Sequence, residues 1–471
     1  MNFVFIITDT QCKHMVGAYG QPVYDTPNLD RLAAEGMRFE RAYTASPVCT
    51  AARGALFTGR QCQASGAWAN GLSPRRHVPM WGELLRERGY RAGYTGKWHL
   101  DGTPYDGLGV ADGGFEAEWW YDRVNMLADL PPQMRALYRQ STTADDLRAA
   151  GFGVEHVFGH CVADRAVDFL QRVGDDPFTL VVSFDEPHDP WMAPAEYWEQ
   201  FKPGDLPGRP NYAADVSDKP RLQQVWAREV AEDHQDPTWE QLVAKRLKFF
   251  GCNAYIDREI GRVIDAVDQQ HGDDTVIIYT SDHGDQLGSH GLHDKGAMMY
   301  QETTNVPFIV RGPGIPQGAV SHALTSHLDI LPTILDLADL EPAEGMHGRS
   351  LRPVLEDPSA SVHEHLMISF NRFGIGGRGR GGFYPIRCVM DGRYKLAINM
   401  LDRDELYDLQ DDPYEMTNHI DDPALAQTRN ALHDALLAEM KRTQDPMDGP
   451  MWVDRPWRPA PWSYVREPMP G

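Results

Sequence analysis

The run Phe3 to Thr8 is almost wholly apolar and too short for a helix, which predicts a buried strand. Asn28 to Gly36 (NLDRLAAEG) places apolar residues at helical spacing and stops on a glycine, so a helix is expected there. Met80 to Arg88 repeats the helical spacing, and Tyr90 to Thr95 reads as the next strand. Val162 to Val173 is helical in pattern, and Phe178 to Phe184 (FTLVVSF) is a strong strand. A long helical stretch from Trp239 to Gln270 precedes the apolar runs Thr275 to Thr280 (TVIIYT) and Pro307 to Val310. Continuous apolar strands alternating with helices predict an α/β fold, a large, mostly parallel sheet sandwiched by helices.

The pattern changes near residue 360. Glu364 to Phe370, Tyr384 to Met390, Tyr394 to Asn399 and Glu405 to Leu409 are short strand-like runs joined by turn signals such as Asp391-Gly392. A smaller C-terminal subdomain of antiparallel sheet is expected, with one helix at about Ala424 to Lys441. The expected division is a catalytic domain over 1–360 and a subdomain over 361–471. From Asp445 on, the chain is rich in proline and tryptophan, a tail suited to wrapping the body or meeting a second subunit of a homo-oligomer. Gly374 to Gly382 (GIGGRGRGG) reads as a surface loop.

Composition narrows the function classes. The formal net charge of -23 repels nucleic acid and anionic membranes, so any anionic substrate must be drawn by a local basic cluster. No window offers about 18 consecutive apolar residues, so no membrane span is expected. The N-terminus has an apolar run without a basic segment before it, and a cytoplasmic location is the expectation. The six cysteines are scattered with no CxxC pair, which favours free thiols.

Ligands in open α/β sheets bind beyond the carboxyl ends of the strands, so the residues following each strand are the ones to read. Asp9 follows the first. Lys97 and His99 follow Tyr90 to Thr95. Asp185, Glu186 and His188 follow FTLVVSF, and Asp282 and His283 follow TVIIYT. Any one of these has an ordinary structural explanation; four strand ends delivering carboxylates, imidazoles and an ammonium to one rim indicate a metal-dependent active site. Asp9, Asp282 and His283 suit a divalent cation, the carboxylates favouring Ca²⁺ or Mg²⁺ and the imidazole favouring Mn²⁺, Zn²⁺ or Fe²⁺. Cys49 precedes a short helical pattern, and a helix N-terminus lowers a thiol pKa and binds anions. Arg53, one turn on, is in reach of position 49 or of a substrate.

Cys49-Thr50-Ala51-Ala52-Arg53, followed by Leu56-Phe57-Thr58-Gly59-Arg60, resembles the sulfatase signature C-x-(P/A)-x-R with its trailing T-G-R. Asp9 to Gly20 resembles the family's opening metal loop, and Thr26-Pro27-Asn28-Leu29-Asp30 its T-P-N-L-D element. Gly96-Lys97-Trp98-His99, Pro187-His188-Asp189-Pro190, Ser281 to Asp285 through Lys295-Gly296, and Glu405 to Leu409 with Asp412-Pro413 and Glu415 resemble four further elements in family order. Three positions depart from the commonest pattern. Thr10 stands where many members carry a second aspartate, and Ala51 replaces a frequent proline. His283 stands where many carry asparagine, similar to the choline-sulfatase and phosphonate-monoester-hydrolase branches of the alkaline-phosphatase-like superfamily.

The resemblance implies a sulfuric ester hydrolase acting on a small-molecule or sugar sulfate monoester. It implies that a maturase converts Cys49 to formylglycine (3-oxoalanine). It further implies one divalent ion, Ca²⁺ or Mn²⁺, held by Asp9, position 49, Asp282 and His283. Lys97, His188 and Lys295 would bind the sulfate group, His188 or Lys295 would serve the leaving oxygen, His99 would act as base, and Arg53 would anchor position 49. Two other readings stand beside this one: a phosphodiester or phosphonate monoester hydrolase on the same scaffold, and an inactive binding protein with an unmodified Cys49. The rings of Trp119, Trp120, Tyr121 and Trp191 suit either a sugar subsite or the core.

Overall fold

The computed structural model describes residues 1–20, 22–102, 105–138, 143–234, 238–375 and 382–458. Most of the glycine- and arginine-rich loop and the end of the proline- and tryptophan-rich tail therefore lie outside the described residues. The strands are β1 (Asn2–Thr8), β2 (Met37–Phe39), β3 (Ala42–Tyr43), β4 (Arg91–Gly96), β5 (Trp120–Tyr121), β6 (Phe178–Ser183), β7 (Thr275–Ser281), β8 (Phe308–Arg311), β9 (Ala319–Ser321), β10 (Thr325–Ser326), β11 (Leu366–Phe370), β12 (Ile386–Met390), β13 (Tyr394–Asn399) and β14 (Glu405–Asp408). Eight of them form one sheet in the order β5-β4-β6-β1-β7-β8-β2-β9.

β1 is central because it is apolar on both faces. Val4 and Ile6 join a core with the helices Phe158–Arg172 and Trp239–Gln270. Phe3, Phe5 and Ile7 join the opposite core with the helices Cys49–Thr58 and Ile330–Leu337. This two-residue alternation between two buried faces is what a strand inside a covered sheet requires.

Most of the sheet is parallel, as the sequence predicts, but β8 runs antiparallel to both β7 and β2. The reason is the connection. Only the short helix Gln301–Thr304 lies between β7 and β8, and a parallel return needs a full crossover element.

The second sheet is antiparallel, in the order β11-β12-β13-β14. Met367, Val389, Leu396 and Leu406 on one face pack against Leu432, Leu436 and Met440 of the helix Ala426–Arg442. Ile368, Cys388 and Ala397 on the other face pack against Val48, Ala51 and Cys62. The smaller sheet thus braces the start of the helix that carries Cys49. Among the described residues no helix is long and apolar enough to cross a membrane, and all six cysteines are free thiols.

Candidate active site

Strand register assembles the site. Thr8 of β1 pairs with Ser281 of β7, and Ile7 pairs with Ser183 of β6, which pairs in turn with Gly96 of β4. Asp9, Asp282, Asp185 and Lys97 therefore leave neighbouring strands at one edge. The ten-residue helix Cys49–Thr58 is buried along its whole length and points its N-terminus at this edge, so Cys49 sits where the helix dipole favours negative charge.

Ligand atoms of Asp9, Cys49, Asp282 and His283 all lie within 4.8 Å of one another, and all four residues are buried. Cys49 Sγ is 3.1 Å from His283 Nε2. Two carboxylates, a thiol and an imidazole converging in a buried space form a donor set for a divalent cation. Burial and the neighbouring Asp9 push the Asp282 carboxyl up to about 6, a like-charge conflict that a cation would relieve. Against burial and Asp9, the ammoniums of Lys295 and Lys97 with His283 hold the Cys49 thiol well below its ordinary range.

Fixed cations surround this set. Lys97 Nζ is 2.6 Å from Asp9 Oδ2 and 3.1 Å from Asp185 Oδ1. Arg53, with 0% exposure, donates to Asp282 Oδ2 at 3.0 Å and to Asp9 Oδ2 at 3.3 Å, and also to Ser183 Oγ and the Lys97 carbonyl. Its hydrogen bonds thus go to the two carboxylates and the strand ends, which fixes Asp9 and Asp282 relative to the helix that carries Cys49. Thr10 links the two sides. Its Oγ1 donates to Asp9 at 2.6 Å and accepts from Lys295 Nζ at 3.1 Å, while its N–H donates to Asp282.

His188 and Lys295 line a cavity of about 1440 Å³ above the cluster. His188 Nδ1 is 3.0 Å from Asp189 Oδ1, and its side chain is 14% exposed. Burial and the ammoniums of Lys295 and Lys97 favour its neutral form; Asp9 and Asp189 outweigh them and raise it to about 9. His99 is buried close to the Cys49 thiol, burial holds its imidazole below the ordinary range, and its Nδ1 has no partner. Its backbone is left-handed, with φ of 59°.

All the sequence-selected residues thus meet at one place: Asp9, Cys49, Arg53, Lys97, His99, His188, Asp282, His283 and Lys295. Tyr105 and Arg123 were missed. Tyr105 donates to Asp185, pairs with Lys97 Nζ at 2.8 Å, and lies with its ring 5.1 Å from that of His188. Arg123 closes on the other Asp185 oxygen. Tyr105 comes from the loop after β4, and Arg123 stands two residues beyond β5, a two-residue strand too short for an apolar run to announce. Trp119, Trp120 and Tyr121 pack into or against the core, whereas Trp191 borders the cavity. Asp285 braces its own loop through the N–H groups of Leu287 and Asp294.

The model of the Sulfatase family matches residues 1–340. A second model, described as N-sulphoglucosamine sulphohydrolase, C-terminal, matches residues 288–442. The chain is 40% identical over 460 residues to the "Uncharacterized sulfatase YidJ" of Escherichia coli, covering 97% of this chain and 90% of that one. It is 25% identical to the N-acetylglucosamine-6-O-sulfatase of Bacteroides thetaiotaomicron, covering 94% and 87%. In three dimensions it is similar to the phosphonate monoester hydrolase of Agrobacterium radiobacter, with a TM-score of 0.77, 24% identity, and 94% and 96% of the two chains covered.

Proposed function

Because this chain belongs to the sulfatase family and is a sulfuric ester hydrolase, we propose that its reaction centre is position 49 in the form of formylglycine, with one divalent ion beside it. The observation that carries this reading is the convergence of Asp9, Cys49, Asp282 and His283 within 4.8 Å at a buried helix N-terminus. Formylglycine at that position supplies a geminal diol, a nucleophile that divides one hard displacement into two easier ones. Calcium or manganese held by Asp9, Asp282, His283 and position 49 would supply positive charge against the sulfate oxygens.

The chain's own residues do the rest. Lys97 and Lys295 neutralise the nonbridging oxygens of the ester in a setting with little water to screen them. His188, protonated at neutral pH, gives its proton to the bridging oxygen as the alcohol leaves. His99 takes a proton from position 49 when sulfate is expelled. Arg53 and Thr10 keep the two carboxylates from moving apart or together. Residues 1–360 carry this chemistry, and 361–471 brace it through the second sheet. The substrate is a sugar sulfate, a reading supported by the sulphoglucosamine match and by the sugar sulfatase among the relatives.

The test joins a mass and an activity. Protein made with a formylglycine-generating maturase should show the Cys49 peptide with sulfur replaced by oxygen and two hydrogens fewer. That material should release sulfate from nitrophenyl and sugar sulfates in proportion to the converted fraction. Full activity with only unmodified cysteine would refute the formylglycine assignment. Phosphodiesters and phosphonate monoesters belong in the same panel, since the fold is shared with a phosphonate monoester hydrolase; faster turnover of these would reverse the substrate order.

A further inference from the structure

The cavity extends well beyond the sulfate-binding residues, and one of its cations has no carboxylate to face. The chain carries 68 acidic side chains against 45 Lys and Arg, so an unmatched guanidinium inside a substrate cavity goes against the composition. The acids that line the cavity are committed. Asp189 pairs with His188, Asp294 with Lys295, Asp106 with Arg123 and Glu199 with Arg148. Asp285 accepts two backbone N–H groups.

Arg246, on the long helix Trp239–Gln270, also lines this cavity. Among the described residues no carboxylate lies within ion-pair distance of it. Its Nη2 donates to Nδ1 of His293 at 3.2 Å, and its guanidinium lies 4.9 Å from the ring centre of Trp191. Both contacts fix the group without neutralising it, and the bond to His293 uses one of five N–H donors. Both also tie it to the reaction centre. His293 is two residues from Lys295, and Trp191 is three from His188.

We infer that Arg246, seated on Trp191 and held by His293, is a subsite for a second anionic group on the substrate, making the preferred substrate a sulfated saccharide with a further carboxylate or sulfate. This rests on the sugar sulfate reading above and deepens it. A planar, always charged fork matches both oxyanions bidentately. The indole beside it suits a pyranose, which has an apolar face and a polar rim. A volume of about 1440 Å³ is more than one sulfated ring fills, leaving room for a second charged group.

The test compares substrates within one protein. Matured enzyme is assayed on 4-nitrophenyl sulfate, glucosamine 6-sulfate, glucosamine N,6-disulfate and a 6-sulfated disaccharide containing a uronate. Binding of the three saccharides to the Cys49→Ala variant is measured by calorimetry, a readout independent of maturation. The doubly anionic sugars should bind at least tenfold more tightly than the monosulfate. Arg246→Ala should lose at least tenfold more kcat/KM on them than on the monosulfate, chiefly through KM. Arg246→Lys should restore only part, because it keeps the charge and loses the fork. Whichever doubly charged sugar loses more tells a sulfate partner from a carboxylate. Equal binding of all three saccharides, or equal losses on mono- and dianionic esters, would overturn the subsite while 4-nitrophenyl sulfate still reports a working sulfatase. Release of sulfate from the nitrophenyl ester but from no saccharide would remove the sugar reading and the subsite together.

Discussion

Arg53 Nε lies 3.0 Å from Oδ2 of Asp282, and neither side chain reaches solvent. The other oxygen of Asp282 accepts the backbone N–H groups of Thr10 and His283. This carboxylate therefore joins the first metal loop, the second and the helix of Cys49.

Asp282→Ala should abolish binding of the divalent ion, because a single remaining carboxylate does not replace the lost charge. Elemental analysis of the purified variant checks it. The change also removes one of the two carboxylates of buried Arg53, which keeps Asp9 at 3.3 Å, so the cost to the fold should stay below the roughly 3–5 kcal/mol of a wholly unpaired buried charge. Asp282→Asn, which keeps the shape, is the companion variant: folded by circular dichroism yet metal-poor. Full metal content in both would remove Asp282 from the ligand set.

A poor alkoxide leaving group needs a proton at the bridging oxygen, whereas a nitrophenolate leaves unaided. His188→Ala should therefore lose more rate on sugar sulfates than on nitrophenyl sulfate, the gap reaching roughly 10²–10⁴-fold. Lys295→Ala should lose similar amounts on both, since the nonbridging oxygens are alike. The reverse pattern would move the acid to the lysine.

Gly96 has φ of 115°, and a Cβ there would stand 1.8 Å from the Ser183 carbonyl oxygen. That carbonyl also accepts the N–H of Lys97 at 2.8 Å. Gly96→Ala should separate the ends of β4 and β6, destabilise the fold by more than about 2 kcal/mol, and displace Lys97 with a matching loss of kcat/KM. Gly89→Ala, also left-handed but with nothing within 4 Å, is the control and should cost about 1 kcal/mol. Urea melts of the two variants decide it.

Glu302 is buried against Arg209 at 2.7 Å and Asn211 at 2.9 Å. Against the cost of burial, Arg209, His290 and Asn211 hold it down to about 2 from an ordinary 4.5. Its contribution, on the order of 3 kcal/mol, is complete above pH 4.5 and is lost as pH falls toward 2. Glu302→Gln should be less stable than the parent near neutrality, and the difference should shrink through that window. A difference independent of pH in denaturant titrations would refute the assignment.

The strand-end rule points to residues written next to an apolar run, and the fold brings these together: Asp9 after β1, Lys97 after β4, His188 after β6, Asp282 after β7. It could not see Tyr105, which reaches Lys97 and Asp185 from a loop. Nor could it see Arg246, whose place on a long helix looks like any solvated charge until Trp191 and His293 are found beside it. The direction of β8 was also beyond an apolar pattern, because pairing direction is set by the connection.

Cys49 is 1% exposed, on a helix with every residue buried and braced by a sheet from the last quarter of the chain. A separate enzyme cannot grip a side chain enclosed in this way. On the formylglycine reading proposed above, a maturase would have to reach Cys49 before β11 to β14 dock, so that modification and the folding of this chain would compete in time.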